Sequence, residues 1–478
     1  MTGIRNRAFS AIRWTAVNSI GRSLLRLASI MILARLLSPA DYGLMAIVTV
    51  ILGFFGLASD LGVNAAFVQS QDVSESERSS LYWLNVAIGL ALTLVFMASS
   101  STIAEIYGDE RLQPLVALGA LVFLIRALGH QVQMAAEKAM EFHRVVVAEL
   151  ASASIGLVVA IAAALAGAGV YALLAMTLCT ALVSTFLLWV FVANGWRPQR
   201  HFSVAEVRPY LAFGAATVGT NIVNYANASM DVFLGGRLLP ATALGAYAVP
   251  RSLVMELGVA VNSVVTRIGF PMIAKLQSDR NKVREVYLKT VNMTSATNAP
   301  LFVGIAFFAP EIVTVLLGAG WESSVEILRV LAVWGAIRST ANPVGSLLLG
   351  MGRADLSMKW NLVILLILPA AVLAGTSYGV LGLASALVGL QAALFVPAWY
   401  ALIHRVCDAG LGEYSRAALA PFIIALCAVY PAVLVTSALQ TPELRLLLAV
   451  TIAVPLYLAL SWIANRAWVD AMLELLGR

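Results

Sequence analysis

The chain has 478 residues, of which 60% are hydrophobic and 12% are charged. A soluble globular domain carries about 25% charged residues and no more than ~50% apolar ones, so this composition excludes an ordinary soluble enzyme. A transmembrane helix needs ~20 apolar residues, and a chain of this length holds about 14 such helices with short connectors. We therefore expect an all-α polytopic membrane protein.

Charge and cysteine content narrow the class of protein further. The net charge of +6 suits cytoplasmic loops that face anionic lipid better than it suits nucleic acid binding. The three cysteines form no CxxC pair and the four histidines are scattered. We therefore expect no disulfide framework, no metal site and no bound cofactor, with H⁺ and Na⁺ as the candidate coupling ions.

Apolar runs bounded by charges, glycines and prolines predict the individual spans. They cover approximately residues 15–37, 42–66, 81–103, 112–134, 145–166, 170–193, 209–230, 242–266, 291–316, 326–349, 359–376, 379–403, 415–437 and 444–464. A cytoplasmic N-terminus puts 21 Lys and Arg residues in inside segments and 4 in outside segments. By the positive-inside rule both termini are predicted to be cytoplasmic.

A weak internal repeat divides the chain. The string RLLSPADYG at residues 35–43 is matched by RLLPATALG at 237–245, and Ile125-Arg126 recurs as Ile337-Arg338. Six predicted helices separate the copies, so the halves are expected to be parallel repeats with a central cavity between them. The predicted parts are an N-terminal lobe (1–195), a cytoplasmic linker (196–208), a C-terminal lobe (209–405) and a C-terminal helix pair with its tail (406–478).

Arginines inside predicted spans are the main candidates for binding, because an intramembrane arginine costs ~2.5–3.5 kcal/mol and needs a partner or water. Asn18, Arg22 and Arg26 recur at i, i+4 and i+8 on the first helix. Arg251 follows Pro250 inside the eighth apolar run. The alternatives are that the first-helix arginines reach the lipid headgroups and that Arg251 belongs to a structural pair.

Two further groups widen the candidate site. Asn221 and Asn224 form a polar stripe on the seventh helix. The alternative is that these amides only form hydrogen bonds between helices and so stabilise the bundle. The repeated arginines, Arg126 and Arg338, could reach the cavity or could pair with Glu149 and Glu326 to hold the helices together.

Three acidic residues are candidates for coupling transport to an ion gradient. Asp60, Asp231 and Glu256 fall in or beside predicted spans. A carboxylate at such a position can bind H⁺ or Na⁺, although each of the three could equally be a local salt-bridge partner.

The cationic candidates outnumber the acidic ones, and this predicts an anionic cargo. Arginine binds phosphate oxygens bidentately and stays charged at every relevant pH. The sequence contains no Walker A loop, HExxH motif, GxSxG elbow or loop DxD cluster, so we expect a transporter and not an enzyme.

The string RLLSPADYG at 35–43, then SDLGV at 59–63 and Gln69, are similar to Wzx-type polysaccharide flippases. The resemblance is to the colanic-acid exporter-like branch of the multidrug/oligosaccharidyl-lipid/polysaccharide exporter superfamily. It implies two six-helix lobes in a V around a cavity, plus a trailing helix pair. It also implies export of an undecaprenyl-diphosphate-linked oligosaccharide repeat unit to the outer leaflet of the bacterial cytoplasmic membrane by alternating access.

The resemblance carries implications for residues and partners. Arginines on the first and eighth helices resemble the lipid II flippase pattern, which corresponds approximately to Arg22, Arg26 and Arg251 here. A polysaccharide polymerase and a chain-length regulator are the implied protein partners, beside membrane lipid. No nucleic acid partner is expected.

Three other functions remain open at this point. A cation-coupled multidrug exporter of the same superfamily would favour acidic cavity residues, and this sequence has basic ones. A membrane polysaccharide polymerase or ligase needs a large outer loop, whereas each predicted outer connector is short. A structural scaffold gives no reason for repeated intramembrane arginines.

Overall fold

The computed structural model describes residues 2–60, 67, 70 and 73–475, and these form helices and no strands. Packing divides the chain into two units, Met1–Gly245 and Ala246–Arg478. The predicted boundaries at 195, 208 and 405 stay predictions. The long helix that follows the mid-chain linker packs against helices of the first unit.

The described residues of the first unit form eight helices, followed by the start of a helix that continues into the second unit. They are α1 (Thr2–Ala34), α2 (Pro39–Asp60), α3 (Glu75–Tyr107), α4 (Leu112–Gly119), α5 (Leu121–Lys138), α6 (Phe142–Leu165), α7 (Val170–Leu187) and α8 (Val204–Leu238). A π-helical turn, Leu188–Val192, extends α7. Local sequence explains several of the ends: Ser74 and Glu77 form a capping box at the start of α3, and Gly108 ends it in a left-handed conformation.

Helix α9 (Ala241–Leu276) begins in the first unit and continues into the second. The second unit then contains α10 (Arg280–Phe307), α11 (Ala309–Leu316), α12 (Ser324–Ala341), α13 (Pro343–Gly350), α14 (Ala354–Thr376), α15 (Gly379–Ala398, extended through a π-helical turn to Cys407), α16 (Leu411–Thr436), α17 (Pro442–Ala464) and α18 (Arg466–Leu475).

The C-terminal helix pair, α16 and α17, is an integral part of the second unit. Ala425, Ala428 and Ala432 are fully buried and pack in one cluster with Ala296 and Ala299 of α10. Small side chains allow helices to approach closely where the hydrophobic effect gives no driving force. The Tyr457 hydroxyl donates to the Ala296 carbonyl at 2.6 Å, which attaches α17 to the same helix.

Ten helices among the described residues are long and apolar enough to cross a membrane, or eleven if the bent pair of α10 and α11 is one span. The expectation of about 14 spans is therefore not confirmed as a number, although the all-α polytopic fold class is. Helices α8 and α9 have 35 and 36 residues, which is long enough for the ~30 Å hydrocarbon core.

In two places the helix ends differ from the predicted boundaries, and each difference has a physical reason. The predicted span 291–316 is not one helix, because α10 and α11 meet at 81° where Pro310, in the first turn of α11, lacks a donor N–H. The predicted inner connector 267–290 is mostly helical, and Asp279 caps α10 by accepting from the Asn281 and Lys282 amides. Charged residues end an apolar run but are good helix formers.

The mid-chain linker is fixed to the start of α3 and is not a loose tether. The Trp83 indole donates to the Gln199 carbonyl at 2.8 Å, and the Gln199 amide donates to Ser79 Oγ at 3.0 Å. The Arg78 guanidinium lies 3.9 Å from the ring centre of Trp196. Linker residues therefore pack as part of the first unit.

Candidate functional site

Glu149 on α6 is the centre of a polar cluster in the first unit. Its carboxylate accepts a hydrogen bond from Asn18 Nδ2 at 2.8 Å, and Oε2 lies 3.5 Å from a terminal nitrogen of Arg22. Gln133 Nε2 donates to the other oxygen, Oε1, at 3.3 Å. The close packing of α1 on α6 brings Asn18 and Arg22 to Glu149 across 127 to 131 positions of sequence.

The same amide nitrogen of Gln133 also donates to Glu137 Oε1 at 2.9 Å. One amide thus bridges two carboxylates inside the helical bundle. We call Asn18, Arg22, Gln133, Glu137 and Glu149 the Glu149 cluster. Its balance of one arginine against two carboxylates is unfavourable in a low-dielectric environment unless a proton or a further cation is present.

Arg126 supplies a second cation near the Glu149 cluster. It is exposed on α5, and it lies close enough to Arg22 for the two guanidinium charges to repel. Arg26 is exposed one turn after Arg22 on α1. Three of the sequence-predicted arginines are therefore neighbours along α1 and α5, and all three are accessible at the surface of the first unit.

Arg251 and Arg338 meet in the second unit on one aromatic ring. Their guanidinium carbons lie 5.9 Å and 5.3 Å from the ring centre of Trp334, within the ~6 Å range of cation–π attraction. Trp334 is buried, with 4% of its surface exposed. We call these three residues the Trp334 platform.

Helix packing fixes the Trp334 platform in place. A Cβ atom added at Gly335 would lie 2.4 Å from a Val254 methyl and 2.8 Å from the Phe302 ring. Helix α12 therefore touches α9 and α10 directly beside Trp334. Arg251 belongs to α9 and Arg338 to α12. The close packing of these two helices holds both arginines beside Trp334.

The polar stripe of α8 lies on a helix that is fixed to α2. The Tyr225 hydroxyl donates to the Val50 carbonyl at 3.1 Å, and a Cβ atom at Gly53 would lie 2.0 Å from that hydroxyl oxygen. Asn221 and Asn224 are both exposed. The structure thus leaves both amides accessible on one helix.

The three acidic coupling candidates are not brought together. Asp60 is the last residue of α2, and its side chain lies outside the described residues. Asp231 on α8 is buried, and Glu256 on α9 is half-buried. Their role in coupling stays a prediction.

The two carboxylates considered as alternative arginine partners have other partners. Glu149 pairs with Arg22 and not Arg126. Glu326 pairs with Arg329, three residues away, at 2.6 Å. The Arg338 guanidinium carbon lies 5.3 Å from the ring centre of Trp334.

The sequence contains two patterns that point to Gln133, Glu137 and Trp334, none of which is among the sequence-predicted candidate residues. Arg126, His130, Gln133 and Glu137 recur at i, i+4, i+7 and i+11, which places them on one face of α5. Trp334 precedes Arg338 by one helical turn, the spacing at which side chains meet on a helix. A search limited to arginines and asparagines overlooks both patterns.

The comparisons with known proteins agree with this arrangement of helices. A family model described as "Polysaccharide biosynthesis protein" matches residues 32–326. The chain belongs to this family. The Polysaccharide biosynthesis protein family thus accounts for α2 to α11 and for the first residues of α12.

Several curated proteins are similar over most of the chain. The lipopolysaccharide biosynthesis protein WzxC of Escherichia coli (strain K12) is 28% identical over 429 residues, covering 88% of this chain and 86% of that protein. The teichuronic acid biosynthesis protein TuaB of Bacillus subtilis (strain 168) is 29% identical over 439 residues, covering 89% and 88%. These matches and the family together confirm the resemblance to Wzx-type flippases.

Solved structures show the same fold. The lipid II flippase MurJ, in an inward closed conformation, superposes with a TM-score of 0.73 at 15% identity, covering 96% of this chain and all of that one. An inward-facing multidrug resistance MATE family transporter of the MOP superfamily gives a TM-score of 0.59 at 14% identity, covering 87% and 98%. This family member is therefore a multi-pass membrane protein with a MurJ- and MATE-like fold.

Proposed function

We propose that this protein translocates an undecaprenyl-diphosphate-linked oligosaccharide repeat unit from the inner to the outer leaflet of the bacterial cytoplasmic membrane. Both termini would be cytoplasmic, and a polymerase and a chain-length regulator would use the exported unit. The product would be an exopolysaccharide or an O-antigen-type polymer. Membership of the Polysaccharide biosynthesis protein family supports the biological context of this proposal.

The single observation that carries the cargo chemistry is the pairing of Arg251 and Arg338 on Trp334. Two permanently charged guanidinium groups on one rigid ring form a site that favours a doubly charged anion such as a diphosphate. Arg22, Arg26 and Arg126 would supply cations from the first unit, with Asn18, Asn221 and Asn224 as hydrogen-bond donors to the headgroup or sugar. The polyprenyl tail would stay in lipid.

Alternating access is the transport mechanism that we propose for this fold. The headgroup would bind to arginines exposed to the cytoplasm and be released to the outside, while its charge remains neutralised. Asp60, Asp231 and Glu256 remain candidates for ion coupling.

A multidrug exporter is the second candidate, because the MATE fold is also similar. Cationic drugs would require carboxylates at the binding site, and the Trp334 platform has two arginines instead. Polymerase or ligase activity receives no support from motifs in the sequence, and transport remains the better proposal.

Accumulation of lipid-linked repeat units in a strain that lacks the gene tests the proposal. We expect the units to accumulate on the inner leaflet, and wild-type protein to restore polymer export. Arg251→Ala should restore at most about a tenth of the export, by the hydrogen-bond energy of a charged group, whereas Arg329→Ala, which removes a half-buried arginine paired with Glu326, should restore it fully. Normal polymer in the strain that lacks the gene would contradict the proposal.

A further inference from the structure

We propose that Glu149 couples headgroup binding to proton uptake, because the anionic headgroup displaces Glu149 from Arg22. This inference rests on the proposed function and names a coupling residue different from Asp60, Asp231 and Glu256. It arises from the arrangement of the Glu149 cluster, in which the same arginine is available to a carboxylate of the protein and to a phosphate of the cargo.

The distances indicate that the pair of Arg22 and Glu149 is poised to open. The two groups are 3.5 Å apart, and the Arg22 side chain is 63% exposed while that of Glu149 is 20% exposed. A phosphate can therefore approach Arg22 from its exposed side. A bidentate phosphate contact is stronger than a single long contact to a carboxylate.

Two donors other than Arg22 hold the Glu149 carboxylate in place. Asn18 donates to it at 2.8 Å and Gln133 at 3.3 Å. Both of these donors are neutral, so the carboxylate loses its cationic partner but keeps its place.

Among the described residues, Arg22 is the cation that forms an ion pair with Glu149. Helix α6 packs against α1, α5, α7 and the π-helical turn after α7, and the last two contain no Asp, Glu, Lys, Arg or His. On α6 itself, His143 contacts Trp14, and Arg144 lies 3.6 Å from Glu141. Among the side chains that the structure describes, the charged and titratable groups on α1 and α5 are Arg13, Arg22, Arg26, Arg126, His130, Glu137 and Lys138.

Loss of Arg22 favours the protonated form of Glu149 for two reasons. A half-buried carboxylate without a counter-ion is destabilised relative to its neutral form. Glu137 is bridged to it through Gln133, and a second carboxylate nearby penalises the negative charge further. One proton from water therefore goes to Glu149 when the headgroup binds, and the same proton returns to water when the headgroup leaves and Arg22 pairs again.

Proton uptake can be measured on the detergent-solubilised full chain. Undecaprenyl diphosphate is added in weak buffer with a pH indicator, and its Kd is measured between pH 6 and pH 8. For one linked proton we expect the wild-type Kd to rise with pH by up to about tenfold per unit. Glu149→Gln preserves the shape of the side chain and should lose this uptake, which leaves only the titration of the headgroup itself.

Two variants complete the test. Glu326→Gln, on the exposed surface of α12, should retain wild-type uptake. Arg22→Gln should bind undecaprenyl diphosphate more weakly and also lose the proton uptake, because Glu149 then has no ion pair that the headgroup could break. This variant replaces Glu149→Gln in the test if Glu149→Gln fails to fold.

The failures can be told apart. Tight binding with unchanged proton uptake in Glu149→Gln would overturn this inference and leave the proposed function standing. Uptake abolished by Glu137→Gln but retained in Glu149→Gln would overturn it as well. Absence of undecaprenyl diphosphate binding by the wild-type protein would overturn the proposed function together with the inference.

Discussion

Gly43 and Gly245 lie against each other and are related by the internal repeat. A Cβ atom on Gly43 would lie 3.0 Å from the Gly245 nitrogen and 1.9 Å from the Ala241 oxygen. A Cβ atom on Gly245 would lie 2.9 Å from the Gly43 nitrogen and 1.7 Å from the Pro39 oxygen. The contact is reciprocal, because the repeat that pairs Gly43 with Gly245 also pairs Pro39 with Ala241.

Replacing either glycine by alanine should destabilise the protein. Within a helix this change is ordinarily stabilising by up to ~1 kcal/mol, but here the added methyl group meets backbone atoms that cannot rotate away. We expect a cost of about 1–3 kcal/mol and a lower melting temperature in detergent for Gly43→Ala and Gly245→Ala. Gly389→Ala on α15 meets nothing within 4 Å and is the control; equal melting temperatures for all three would contradict the close contact.

Arginine substitutions test the proposed binding groups directly. Arg22→Ala, Arg26→Ala and Arg251→Ala should each lower polymer export by roughly ten- to a hundredfold, because a hydrogen bond to a charged group contributes ~1.5–3 kcal/mol. Arg→Lys at the same positions should lose part of the activity, since a point charge replaces a planar fork. Export is measured against the amount of membrane-inserted protein, and full export by all three alanine variants would refute the cationic site.

Trp334 is expected to act as a positioning residue for Arg251 and Arg338. Trp334→Leu removes the ring that both guanidinium groups contact, and cation–π attraction is worth about 0.5–2 kcal/mol. We expect weaker binding of undecaprenyl diphosphate to Trp334→Leu and partial recovery in Trp334→Phe. A purely structural tryptophan would lower the melting temperature of both variants and leave the Kd unchanged.

The ion pair of Glu311 and Arg445 should stabilise the contact between α11 and α17. The two groups are 2.5 Å apart, and their side chains are 8% and 26% exposed. Removing one partner leaves a buried charge, which costs ~3–5 kcal/mol, so Arg445→Ala should melt at a markedly lower temperature. Lys282→Ala breaks an exposed pair with Asp279 worth at most ~1 kcal/mol, and a similar loss in both variants would argue against a buried pair.

Glu206 makes the stability of the linker region depend on pH. The hydrogen bond from Ser80, 2.6 Å long, and the contact with His201 hold the pKa of Glu206 below its usual value. A lowered folded-state pKa gives stability that is present above the unfolded pKa and is lost as pH falls through the folded one. Thermal stability should therefore fall on acidification below about pH 4.3, and Ser80→Ala should flatten this dependence; an identical pH profile would exclude the linkage.

The fold class follows from sequence, but the helix ends do not. Hydropathy located the apolar segments, yet α9 continues to Leu276 and α10 begins at Arg280, inside a predicted connector. A charged side chain leaves the hydrocarbon core without leaving the helix, because its backbone hydrogen bonds are made within the helix in water or lipid alike. Apolar length therefore marks the membrane boundary and not the end of the helix.

The candidate site was only partly predictable. The stripe of Asn18, Arg22 and Arg26 on α1 is a local feature and could be read from spacing. Trp334 was overlooked, because an apolar aromatic residue in an apolar span has no unusual composition. Its importance comes from Arg251, which reaches it from another helix.

The amino-acid sequence by itself determined that this protein lies in a membrane, that it is helical and that it carries arginines where hydrocarbon disfavours them. Each of these properties depends on residues close together in the chain, since the free energy of transferring a segment into lipid is a sum over that segment. Only the tertiary structure decided that Arg22 meets Glu149 and that Arg251 shares a ring with Arg338. Those partners are far apart in sequence, and the packing of whole helices brings them together.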